Sequence, residues 1–151
     1  MAMSDSSPSM FSATDRFAAS STSVLLLVGR ILLGWLFFVS GYGKLMNIAG
    51  TAGYLTNLGV PAPELSAWIV AIVEFALGAV LILGLATRYA SLVLFVFVLI
   101  ATLLAHRYWE YPAAQQQAQF NNFLKNLAIM GGALAFFVTG AGRISIDGRM
   151  K

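Results

Sequence analysis

The sequence predicts an all-α fold: an integral membrane four-helix bundle with both termini on the cytoplasmic side. Three observations carry that expectation. Hydrophobic residues make up 59% of the 151 and charged residues only 10%, whereas a soluble domain carries about 25% charge. The apolar residues gather into four runs, each long enough to cross a hydrocarbon core of roughly 30 Å. The cations, finally, concentrate on alternate connections between those runs.

The elements follow in order. Residues 1–23 are polar and Ser-rich around a single Arg16. They lack the basic opening of a secretory signal and read as a disordered or surface-lying tail, with Thr22 or Ser23 capping the helix that follows. Span one covers residues 24–44, and its apolar core carries only Arg30. The stretch from Gly43 to Glu64 holds Gly50, Gly53, Gly59, Pro61 and Pro63, too many breakers for one helix, though a short amphipathic turn along Ala49–Leu58 fits the membrane interface. Span two covers residues 65–86, with Glu74 as its one ionisable side chain. A tight turn at Thr87 and Arg88 leads into span three, residues 89–105, as an antiparallel neighbour. Residues 106–121 are polar and aromatic, and Tyr108, Trp109 and Tyr111 resemble an interfacial belt. Span four covers residues 122–140, with Lys125 and Asn126 in its first turns. Gly140 and Gly142 stop the helix, and residues 141–151 form a short basic tail. Together residues 24–140 make one membrane domain.

The charges set the expected orientation. Arg16, Arg88, Arg143, Arg149 and Lys151 lie on one side, with Arg30 just inside the membrane from it. Lys44 and Arg107 lie on the other, with Lys125 just inside span four. The positive-inside rule makes the first side cytoplasmic. The basic residues are scattered, so nucleic acid is not an expected partner.

An ionisable group in mid-membrane is a candidate functional residue because leaving it unpaired in hydrocarbon costs several kcal/mol. Glu74 is that residue, and Ala67, Ala71, Glu74 and Gly78 fall on one helical stripe. In span one, Arg30, Gly34, Phe37, Gly41 and Lys44 form another, and small residues allow close helix approach. Packing the two stripes together brings Glu74 toward Arg30 or Lys44. Arg30 is the expected partner because it cannot easily lose its charge, with Lys44 reaching to the outer interface. Such a pair serves helix register as well as it serves ligand binding. Near the outer surface, His106, Lys125 and Asn126 surround the mouth of the bundle. An outward pocket lined by Lys44, Glu74, His106, Lys125 and Asn126 is therefore expected, although His106 also suits a solvated helix end and Asn126 an interhelical hydrogen bond. With no cysteine and one histidine, thiol redox chemistry, a haem held by two histidines of this chain and a metal site all lack ligands. Phosphate loops, dinucleotide fingerprints and nucleophile elbows are missing as well.

The order of these motifs resembles the DoxX family of small four-span membrane proteins. The matching segments are RILLGWLFFVSGYGKL at Arg30–Leu45 and the segment Pro61–Ser91, with its membrane Glu and its Gly-x-x-Thr-Arg turn. His106 closing span three follows, and then Phe120–Asp147 with its Gly-x-Gly-x-x-Ser-x-Asp ending. The likeness covers about Leu25 to Asp147. It implies a bacterial inner-membrane protein tied to quinol oxidase or thiosulfate–quinone systems, with Arg30, Lys44, Glu74 and His106 as pocket or interface positions. Because this chain lacks residues to store electrons, the function expected is a redox-associated subunit that holds a diffusible carrier. A quinone is the cofactor that fits, near the Glu/Arg pair, with Trp35, Phe37, Phe38, Trp68 and Phe75 as candidate aromatic walls. The expected partners are the bilayer, a quinone, a redox protein of the membrane or the soluble phase, and a second copy of the chain. A proton-coupled transporter built on Glu74, or a non-catalytic scaffold, are the competing readings.

Overall fold

The computed structural model describes residues 10–150, all of whose regular elements are helical. Expectations for residues 1–9 and for Lys151 lie outside the described residues. Helix α1 runs Met10–Met46, α2 Ile48–Asn57, α3 Pro63–Leu83, α4 Thr87–Ala105, α5 Ala113–Thr139 and α6 Ile146–Arg149, with one 3₁₀ turn at Tyr108–Glu110. Four of these, α1, α3, α4 and α5, are long and apolar enough to cross a membrane.

Two helices outrun their expected spans. With 37 residues, α1 is roughly 55 Å long and exceeds a hydrocarbon core of about 30 Å, so it stands well out of the bilayer at its N-terminal end. The expected tail is thus helical from Met10, and Thr22 is an interior residue, not a cap. Its hydroxyl bonds back to the carbonyls of Ala18 and Ala19, and Ser20 bonds back to Phe17. Such back-bonding lets Ser and Thr sit inside a helix. Helix α5 likewise begins at Ala113, directly after Pro112. The AAQQQAQ stretch is polar but rich in good helix formers; polarity there marks the exit from the membrane, not the end of the helix.

The short helix α2 is capped by the side chain of Asn47, which accepts from the Gly50 N–H at 3.0 Å. Gly84, left-handed at φ 68°, closes α3, and Ala86 at φ 46° leads into α4. Gly140 at φ 77° ends α5. The core joins all four long helices through Phe37, Leu81, Ala90, Leu94, Val98, Met130 and Ala133, while most other large apolar side chains face outward. That inversion suits a protein whose solvent is lipid.

Candidate functional site

The site is built on the contact between α1 and α3. Ala67, Ala71, Glu74, Gly78 and Leu81 are the buried residues of α3, spaced four, three, four and three apart along one stripe. Where they meet α1 the backbones touch. A Cβ on Gly41 would come 2.7 Å from the Phe75 Cα, one on Gly34 2.8 Å from the Gly78 carbonyl oxygen, and one on Gly78 2.7 Å from the Phe38 Cα. Only glycine permits that approach, which fixes the register: Gly41 lies opposite Ala71 and Phe75, Gly34 opposite Gly78 and Ile82. The two helices are therefore antiparallel.

This register pairs Glu74 with Lys44 and not with Arg30. The Lys44 Nζ donates to Glu74 Oε2 at 2.6 Å and to Ser40 Oγ at 2.6 Å. Two effects overturn the expected Arg30–Glu74 pair. Arg30 lies eleven residues before Gly41, roughly 16 Å along the helix axis, and a guanidinium cannot reach that far. Side chains also lean toward the N-terminus of their own helix, so in an antiparallel pair Lys44 and Glu74 lean toward each other while Arg30 leans away. For the same reason Lys44 points back into the bundle, not out to the interface. The pair is not sealed: the Lys44 side chain is 30% exposed and that of Glu74 10%. On the same two helices, Trp35, Phe38 and Phe75, the last of them next to Glu74 in sequence, form a stack with centroids 6.1 and 4.5 Å apart. Of the other aromatic candidates, Phe37 turns into the core and Trp68 faces outward.

Arg30 has a different task. It is wholly buried, and its guanidinium donates to the carbonyls of Leu81 and Ile82 at 2.9 Å each and of Ile144 at 2.7 Å. The first two belong to the last turn of α3, where the Leu81 carbonyl otherwise accepts only the Gly84 N–H at 3.1 Å and the helix dipole favours a cation. The third ties down the segment after α5. Asp147 completes the clamp: its carboxylate accepts from the N–H groups of Ala86 at 2.6 Å and Thr87 at 2.8 Å, and its own N–H donates to the Gly84 carbonyl at 2.9 Å. It caps α4 from sixty residues away and secures the left-handed Ala86. Ser145 accepts from the Gly148 N–H at 2.9 Å, so the Ser-x-Asp ending is a structural lock.

The remaining expected pocket residues are dispersed. Asn126 is buried and donates to Thr102 Oγ at 2.9 Å, which joins α4 to α5. Nδ1 of His106 lies 2.8 Å from Gln119 Oε1. Lys125 is exposed and donates to Asn122 at 3.0 Å. The single outward pocket expected from the sequence is thus resolved into separate contacts, with only Lys44 and Glu74 in direct contact. Ser40 was not anticipated; its place one turn before Lys44 is the signal that would have found it. On α2, burial raises the Tyr54 phenol above its usual range, and Tyr111 adds to the shift. Among the described residues no three His, Asp or Glu side chains converge as metal ligands would.

Comparison with known proteins decides the family. The DoxX family model matches residues 25–107, a segment that contains Arg30, Lys44, Glu74 and His106. The chain belongs to the DoxX family. Inner membrane protein YphA of Escherichia coli (strain K12) is 37% identical over 127 residues, spanning 83% of this chain and 90% of YphA. Inner membrane protein YqjF of the same organism is 36% identical over 122 residues, spanning 81% of this chain and 88% of YqjF. CatD of Bacillus subtilis (strain 168), provisionally named an oxidoreductase, is 33% identical over 78 residues, or 52% of this chain and 56% of CatD. No solved structure gives a significant match. This is a DoxX-family inner-membrane protein whose long helices require a lipid bilayer.

Proposed function

We propose that this DoxX-family chain is a redox-associated membrane subunit that binds a quinone, or a similarly small hydrophobic carrier, against the Lys44–Glu74 pair. The observation that carries the reading is the incomplete enclosure of an ion pair within the spans, 30% exposed at Lys44 and 10% at Glu74, between two helices that also carry the Trp35–Phe38–Phe75 stack. Arg30, which serves the architecture, is by contrast completely enclosed. A ligand site needs a donor and a proton-exchanging group that a molecule arriving from the bilayer can reach. The Lys44 ammonium would donate to one quinone carbonyl, Glu74 would exchange a proton, and the aromatic faces would hold the ring. Electrons would come from a partner protein, in keeping with the provisional name of the CatD relative. In this reading both termini face the cytoplasm, from the loop-charge bias, and the pair lies in the outer half of the membrane.

The test is to purify the full chain in mild detergent, extract it with organic solvent and quantify quinones by mass spectrometry. The wild type should carry near-stoichiometric quinone, and folded Glu74→Gln and Lys44→Met variants should lose it. Quinone no higher than the lipid background would defeat the reading. Proton-coupled uptake in vesicles would then support the transporter alternative, and its absence the scaffold.

A further inference from the structure

A cavity at the opposite end of the bundle has a chemistry that the Lys44–Glu74 site does not share. It has a volume of about 600 Å³ and lies between the start of α4 and the segment following α5, lined by Thr87, Arg88, Tyr89, Gly140, Arg143 and Met150 among others. We propose that it binds the phosphate headgroup of an anionic phospholipid.

Three features point to that ligand. Arg88 and Arg143 both line the cavity, and neither has a carboxylate within ion-pairing distance among the described residues. The acidic residue of the same wall, Asp147, turns its two carboxylate oxygens to the Ala86 and Thr87 N–H groups, and against the two arginines its one negative charge leaves the lining net cationic. Arg88 is also held in place: its Nη1 donates to the Phe137 carbonyl at 2.8 Å, and its Nε lies 3.4 Å from where a Cβ on Gly140 would stand. An anchored guanidinium with free donors is well suited to a phosphate. Second, the Thr87 side chain is wholly buried in the cavity wall and its hydroxyl has no hydrogen-bond partner. Third, position favours a lipid over a free ion. The cavity sits where α4 and α5 reach the bundle end, and Tyr89 and Met150 beside the arginines are 77% and 67% exposed. Tyrosine at that level is typical of the headgroup layer, and an apolar flank next to paired cations suits a molecule with both a phosphate and acyl chains.

The test is native mass spectrometry of the full chain released from detergent micelles doped with phosphatidylglycerol, phosphatidylcholine or inorganic phosphate alone. Phosphatidylglycerol should give a one-lipid adduct that phosphatidylcholine does not match. Arg143→Gln, which breaks no ion pair found among the described residues, should weaken that adduct about fivefold. Arg143→Lys should restore most of it, and Arg16→Gln, which removes a cation from the same end but outside the cavity, should leave it unchanged. Equal adducts with both lipids, or equal losses in Arg143→Gln and Arg16→Gln, would overturn the proposal. A phosphate adduct that excludes phosphatidylglycerol would overturn the lipid assignment.

Discussion

Arg30 and Lys44 lie on one stripe of one helix, each within a bilayer-crossing segment, yet the fold treats them in opposite ways. Arg30 is fully enclosed and bonds three main-chain carbonyls from two separate segments. Lys44 holds one carboxylate and one hydroxyl and remains 30% exposed. The difference follows from helix geometry. Arg30 leans toward the C-terminal end of α3, which presents carbonyls in need of donors, and a planar guanidinium can serve several at once. Lys44 leans toward the middle of α3, where all main-chain groups are already paired and only a side chain can answer its charge. A cation that satisfies backbone becomes part of the architecture; a partly exposed cation that meets one buried carboxylate stays available.

Substitutions can break this contrast. The largest effect is expected at Arg30: Arg30→Met takes a buried donor from three carbonyls, of which Leu81 keeps only the Gly84 N–H, and should lower stability by about 3 kcal/mol, measured by unfolding of the purified protein in mixed micelles. Arg30→Lys should recover less than half of that loss, since an ammonium lacks the fork. Next comes the helix contact. Gly78→Leu would force a side chain against the Phe38 backbone and should cost about 2–3 kcal/mol by overpacking, and by parting α1 from α3 it should also separate Lys44 from Glu74. Asp147→Ala removes the cap of α4 and should cost about 1 kcal/mol in the same assay. The smallest effect on stability is expected for Glu74→Gln. Because Lys44 is partly exposed, losing the charge should cost less than about 1 kcal/mol, and its consequence should appear in ligand binding instead.

The spans themselves were legible because hydrocarbon thickness sets a minimum apolar length, and the runs around Arg30, Glu74, Val98 and Met130 meet it. The stripe of Gly34, Gly41 and Gly78 was legible too, as a close helix contact. Its offset was not. The backbone contacts at Gly41 and Gly34 set Arg30 and Glu74 about 16 Å apart along the axis and exchange one cation for the other. Helix ends beyond the membrane were hidden for a different reason. Ser20, Thr22 and the glutamines of α5 are polar because they are wet, and polarity alone does not distinguish a wet helix from a loop. The role of Asp147 depends on a contact across sixty residues, which no local pattern announces.

The division between lock and site is tested most directly by titrating a short-chain quinone into the purified wild type and into the Glu74→Gln and Asp147→Asn variants, with melting temperature followed in parallel. Glu74→Gln should weaken binding at least tenfold with little change in melting temperature; the pair is expected to contribute a charge-assisted hydrogen bond of about 1.5–3 kcal/mol. Asp147→Asn should lower the melting temperature and leave the affinity intact. Equal affinity in wild type and Glu74→Gln, no binding to any of the three, or a loss of affinity in Asp147→Asn as large as in Glu74→Gln would contradict it.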